Sequence, residues 1–81
     1  MPRYYFDVFD GDAVTRDEVG IDLEHEDMAA DHAVAALPEI ANDELPDGMQ
    51  RDFWVKVRLE SGNYFFTADL KFKADWLKQR S

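Results

Sequence analysis

Asp10-Gly11-Asp12 is the first point along this 81-residue chain where residue type and spacing could do chemistry. Two carboxylates bent around a glycine are the raw material of a calcium loop. The twelve-residue pattern then fails. Counting from Asp10 puts Val14 at the fifth position, Thr15 where glycine is needed and Ile21 where the bidentate glutamate belongs. A tight turn is the expectation, because glycine tolerates positive φ and aspartate caps turns. His25 and His32 are the only imidazoles. On one helix they stand about 10.5 Å apart along the axis, too far to share an ion. His25 with Glu24, Glu26 or Asp27 offers only weak, adventitious metal binding. The hydroxyls of Thr15, Ser61, Thr67 and Ser81 sit in no nucleophile elbow, and none stands beside a histidine in sequence. With 18 acids in the chain, close carboxylate pairs arise by chance, and there is no Gly-rich phosphate loop. The residue pattern therefore points away from an enzyme, a metal centre or a cofactor.

The side chains with a surface chemistry of their own lie in the second half. Phe53, Val55, Val57 and Leu59 alternate with Trp54, Lys56, Arg58 and Glu60. After Ser61-Gly62-Asn63, Tyr64, Phe66, Ala68, Leu70 and Phe72 alternate with Phe65, Thr67, Asp69, Lys71 and Lys73. Strict alternation over both runs predicts a β-hairpin, strands 53–60 and 64–73, with one apolar and one wet face. A Gly62-Asn63 turn would pair Val57 with Ala68, Val55 with Leu70, Lys56 with Asp69 and Trp54 with Lys71. A Ser61-Gly62 turn also keeps the faces apart but sets Trp54 against Asp69 and Lys56 against Thr67. The first is preferred for its opposite-charge pair and its cation–π pair. Trp54, Lys56, Arg58, Phe65, Lys71 and Lys73 then share the outer face, joined by Tyr5 and Phe9, and form the candidate interaction surface. Trp76 and Leu77 could fold back to cover that face.

These residues need a scaffold, and the rest of the chain supplies one. The aromatic-rich segment 3–9 reads as a strand, with Tyr4, Phe6 and Val8 on one face and Tyr5, Asp7 and Phe9 on the other. Residues 13–17 return as a weak edge strand. From 24 to 45 the period becomes helical: Ala29, Ala33, Ala36, Leu37 and Ile40 form one stripe, with Met28 and Leu45 at its margins, and acids occupy the first turn. Pro38 lies inside this segment, so a kink or a break is expected there. Pro46-Asp47-Gly48 reads as a closing turn. The expected fold is α+β, β-β-α-β-β: a single domain over 1–81 with a four-stranded, mainly antiparallel sheet and one helix on its apolar face.

Charge is unevenly placed. Residues 1–48 hold 14 acids against Arg3 and Arg16, whereas residues 49–81 hold 4 acids against 7 bases. A net charge of −9 repels phosphate backbones and argues against direct nucleic-acid binding. No apolar run approaches a membrane span, the first residues lack a signal-peptide pattern, and cysteine is absent. Cytoplasm is the expected compartment.

The opening Met1-Pro2-Arg3-Tyr4-Tyr5-Phe6-Asp7, the segment Arg16-Asp17-Glu18-x-Gly20, Asp43-Glu44-Leu45-Pro46-Asp47-Gly48 and Arg51-Asp52-Phe53-x-Val55-x-Val57 stand together in order and spacing. The chain thereby resembles, over nearly its whole length, a family of small bacterial proteins known as a domain of unknown function. That resemblance implies a bacterial, stand-alone domain and brings no activity, cofactor or catalytic residue with it.

The leading expectation is a non-enzymatic protein-interaction module, acting on itself as a homodimer or on another protein through the outer hairpin face. An acidic decoy for a basic nucleic-acid-binding partner, using Asp10, Asp12, Glu24, Glu26, Asp27 and Asp31 together, is the alternative. A small hydrolytic or metal-dependent enzyme ranks third.

Overall fold

A computed structural model describes residues 1–44 and 50–78. Its order is β1 (Arg3–Asp10), β2 (Ala13–Thr15), β3 (Ile21–Asp22), α1 (Glu26–Glu44), β4 (Gln50–Leu59) and β5 (Tyr64–Lys73). The class is α+β, with an antiparallel sheet ordered β2-β1-β4-β5 and β3 beside β1. The sheet has one more strand than the alternation indicated. The expected strand 13–17 stops at Thr15, and the two-residue β3 takes the other end of the same β1 edge. The expected Pro46-Asp47-Gly48 turn lies outside the described residues.

The helix begins two residues later than expected, because the His25 carbonyl accepts the amides of Met28 and Ala29 and so caps it. It then runs unbroken through Pro38. Pro38 is exposed, so water can satisfy the Val34 carbonyl that loses its amide partner. Leu37 before it and Ala41 after it are both buried, so both halves pack on the same core. Ala29, Ala33, Leu37 and Ala41 meet Phe53, Val55, Val57 and Tyr4 in the core. Three of those four helix residues are alanines. The helix can therefore lie close to the sheet, which supplies the large side chains.

The hairpin register departs from the preferred one. Trp54 stands opposite Asp69, Lys56 opposite Thr67, Val55 opposite Ala68 and Phe53 opposite Leu70. The physical cause is a compensation between turn and strand. Leu59 pairs with Asn63, and the Gly62 amide donates to the Leu59 carbonyl at 2.9 Å, so the loop is the three residues Glu60-Ser61-Gly62. Gly62 supplies the positive φ, 101°, that such a loop needs at its third residue. Continued unchanged, this loop would bring Thr67, Asp69 and Lys71 under the helix. A β-bulge between Val57 and Arg58 absorbs one extra residue, Phe65, and returns Phe66, Ala68 and Leu70 to the apolar face. Phe65 moves with it: it packs on the core with its ring 5.7 Å from that of Tyr4, not on the outer face. Tyr64 takes its place outside, opposite Arg58.

Candidate functional site

The helix-free face is built from Tyr5, Asp7 and Phe9 of β1, Gln50, Asp52, Trp54, Lys56 and Arg58 of β4, and Tyr64, Thr67, Asp69, Lys71 and Lys73 of β5, because cross-strand partners share a face. It has two regions of different character.

The first is a closed polar cluster. Asp7 and Arg58 are both buried, with side chains 1% and 8% exposed. The Asp7 carboxylate accepts three hydrogen bonds: from the Asp17 amide at 2.9 Å, from Arg58 Nε at 3.1 Å and from the Tyr64 hydroxyl at 2.5 Å. Arg58 also donates to the Asp17 carbonyl and lies 4.5 Å over the ring of Tyr5. Asp17 is the organiser of the loop between β2 and β3. One of its carboxylate oxygens accepts from Val19 and Gly20, forming an Asx turn, while the other accepts the Phe6 amide. That last bond closes the gap in the middle of the β1 edge, between the stretch paired with β2 and the stretch paired with β3. Gly20 holds a φ of +76°, and a Cβ there would come within 2.7 Å of Arg3 Cγ and 2.9 Å of Tyr5 Cε1. Burial pushes the Asp7 carboxyl up, but the Tyr64 hydroxyl, the Asp17 amide and Arg58 outweigh it and hold the group below its ordinary value. Burial likewise raises Asp17, and the Gly20, Phe6 and Val19 amides more than reverse it. The Asp7 hydrogen bond raises Tyr64. Every buried side-chain nitrogen and oxygen among the described residues has a partner. This cluster is therefore a clamp joining β1, β4, β5 and the loop.

The second region is open. The rings of Trp54 and Phe9 stack at 5.5 Å with 3° between their planes. Lys56 Nζ stands 5.3 Å from the centre of Phe9 and 5.6 Å from that of Tyr64. In place of the expected pairs Lys56 with Asp69 and Trp54 with Lys71 stand these contacts with Phe9 of β1 and Tyr64 of β5. A shallow depression of about 390 Å³ is lined by Asp52, Trp54, Lys56, Thr67, Asp69 and Lys71. A second, of about 490 Å³, runs from the other side of Trp54 toward Gly11, Asp12 and Gln50. Trp54 is the wall between them. Lys73 lies at the far end, 3.8 Å from Asp75. Trp76 is 61% exposed and Leu77 fully so.

Of the six residues expected on this face, Trp54, Lys56, Arg58, Lys71 and Lys73 are there, and Phe65 is not. Arg58 belongs to the clamp. Sequence reasoning missed Asp7, Asp17 and Tyr64. The signals were a lone carboxylate inside an aromatic strand and an Asp-x-x-Gly spacing fit for an Asx turn.

The family model described as Domain of unknown function (DUF6894) matches residues 3–71. The chain belongs to that family. The DUF6894 match contains every residue of the clamp and the Trp54–Phe9 stack, and it stops before Lys73 and Trp76. Searches of curated proteins and of solved structures found no match.

The remaining candidates of this DUF6894 chain scatter. Asp10 and Asp12 lie at the β1–β2 turn, and Asp10 is held by Arg51 at 2.6 and 2.7 Å. Glu24, Glu26, Asp27 and Asp31 lie around the helix start, which follows β3 at the other end of β1, about 20 Å away by strand rise. The six acids do not form one surface. His25 stands 3.9 Å from Glu24. The His32 ring packs 4.8 Å from that of Phe6, beside a depression of about 120 Å³ lined with Ala35, Ala36 and Glu39. No helix among the described residues is long and apolar enough to cross a membrane.

Proposed function

We propose that this domain is a non-enzymatic binding module that docks a protein segment on the open part of its outer sheet face. The partner presents an aromatic or apolar anchor to the Trp54–Phe9 stack and a carboxylate to Lys56. The observation that carries this reading is Trp54 itself. It is a large ring held rigid by Phe9, half-buried on the side no helix covers, with a depression on each flank. Rigid aromatic anchors beside pockets are where binding energy concentrates. Among the described residues Lys56 carries no ion pair, so its charge is available to an acidic group.

A displayed random-peptide library panned against the protein tests it. The expected result is enrichment of sequences with an acidic residue next to an aromatic one. Trp54→Ala should weaken their binding about 30-fold or more, and Lys56→Glu should weaken it several-fold. Peptides that bind a folded Trp54→Ala variant as tightly as the wild type would overturn the reading.

A further inference from the structure

The two outer edges of the sheet are treated differently. The β1 edge is closed along its length by β2, by the Asp17 carboxylate and by β3. The β5 edge, ten residues from Tyr64 to Lys73, has no strand beside it among the described residues. An open edge of that length is a template for another strand.

We propose that the occupant is a second copy of this chain, pairing β5 with β5 antiparallel about a two-fold axis through Leu70. The argument is one of charge and register. A shift by an odd number of residues would turn the apolar face of one copy to the wet face of the other. Among the registers that remain, the axis through Leu70 sets Asp69 opposite Lys71 of the partner subunit, and the symmetry makes that pair twice. Moving the axis one residue sets either Asp69 or Lys71 against its own copy. Placing it at Phe72 opposes Lys71 and Lys73, and placing it at Ala68 leaves Asp69 opposite Thr67. Only the Leu70 axis gains opposite charges without opposing like ones.

Exposure agrees with this axis. Leu70, which would meet its own copy, is 36% exposed although it belongs to the helix-side face. The helix lies over β4 and β5. Strands sit about 4.8 Å apart, so the helices of the two copies would run roughly 10 Å from one another across the axis, an ordinary helix–helix packing distance. The paired sheet doubles the outer face. The pairing does not depend on what that face binds, since Trp54 lies one strand in from the edge.

Sedimentation velocity on the full chain, from micromolar to millimolar concentration, is the test. The wild type should reach twice the 9.4 kDa chain mass. Asp69→Lys, which replaces both cross-axis pairs by lysine against lysine, should weaken the dimer about 30-fold or more. The double variant Asp69→Lys with Lys71→Asp restores the pairs in reverse and should restore the dimer, with circular dichroism establishing that each variant is folded. The chain has no cysteine, so Leu70→Cys should form an intersubunit disulfide on mild oxidation faster than Ala68→Cys, and that advantage should vanish in the Asp69→Lys background. A wild type that stays monomeric at millimolar concentration, a dimer indifferent to Asp69→Lys, or a folded double variant that remains monomeric would each overturn the proposal, whatever the peptide panning shows.

Discussion

Replacing Asp7 by asparagine should remove a large part of the stability of this domain. The change keeps side-chain size and one carbonyl oxygen, so its cost is chemical. The carboxylate serves the Asp17 amide, Arg58 Nε and the Tyr64 hydroxyl at once. If the asparagine oxygen stays on the Asp17 amide, its NH2 group faces the Arg58 N–H, donor against donor. If it turns over, the Asp17 amide is left without an acceptor. In either case the buried Arg58 guanidinium loses its counter-charge. Removing one partner of a buried pair costs about 3–5 kcal/mol. Arg58 retains the Asp17 carbonyl and the Tyr5 ring, which places the cost at the lower end, about 3 kcal/mol. For a domain of this size that corresponds to a fall in Tm of roughly 12–24 °C. Urea unfolding at neutral pH, followed by tryptophan fluorescence and circular dichroism, measures it. A loss below about 1 kcal/mol would refute the account of the clamp.

The same variant has a pH signature. Asp7 is held below its ordinary value in the folded protein, whereas in the unfolded chain it titrates near 3.9. Between the two values the unfolded chain takes up a proton that the folded one refuses, so lowering the pH favours unfolding. The Asp7 contribution is complete above the unfolded value and is lost as pH falls through the folded one. Wild type and Asp7→Asn should therefore differ most at neutral pH and converge in acid. A gap that stayed constant from pH 7 to pH 2 would mean that the cost is one of shape.

Tyr64→Phe removes one charge-assisted hydrogen bond and should cost about 1.5–3 kcal/mol. It should also move the acid unfolding midpoint upward in pH, because Asp7 loses one of the contacts that depress it; an unchanged midpoint would contradict that assignment. Gly20→Ala meets both a left-handed φ and the close Arg3 and Tyr5 side chains, and should cost about 2 kcal/mol or more. Gly11→Ala, at φ +58° with nothing within 4 Å, should cost about 1 kcal/mol, and equal losses at the two sites would show that the approach to Arg3 and Tyr5 is unimportant. Pro38→Ala restores a helix amide at an exposed position and should raise stability by up to about 3 kcal/mol. A lower Tm for that variant would mean the ring is packed against something that alanine cannot replace.

The parts of this fold that were legible in the chain are those written in local period. Alternation in 53–73 and in the opening strand, and the alanine–leucine stripe of the helix, each describe a face that must be buried; Tyr4, Ala29, Ala33, Leu37, Phe53, Val55 and Val57 are buried as expected, Ala36 and Ile40 only half so, and Ala41 joins them. The hairpin register was not legible, because two one-residue effects cancel there. A three-residue loop slips the pairing one way, and the bulge at Phe65 slips it back. Judged on the hairpin alone, the Lys56–Asp69 pair favoured the other register. In the folded sheet both side chains are engaged by a third strand instead: Phe9 stacks on Trp54 and takes Lys56 over its ring. Pairing rules applied to two strands cannot see the third. The clamp was hidden for the same reason. Asp7, Asp17, Arg58 and Tyr64 come from four segments, and each alone reads as an ordinary wet-face residue.

The outer face also has to be weighed as a device for holding the sheet together, since a single alanine-lined helix covers the other side. Seen that way, Arg58 over Tyr5 and Trp54 on Phe9 are both fasteners between β1 and β4. The two differ in what surrounds them. The Arg58 contacts are enclosed and every polar atom in them is satisfied, which is the condition of a part that serves stability. The Trp54 stack instead lines two open depressions, with Lys56 beside it carrying no ion pair among the described residues. A fastener needs neither the flanking space nor the unpaired lysine beside it. The clamp keeps the strands in register, and that rigidity is what allows the neighbouring stack to act as a preformed anchor site.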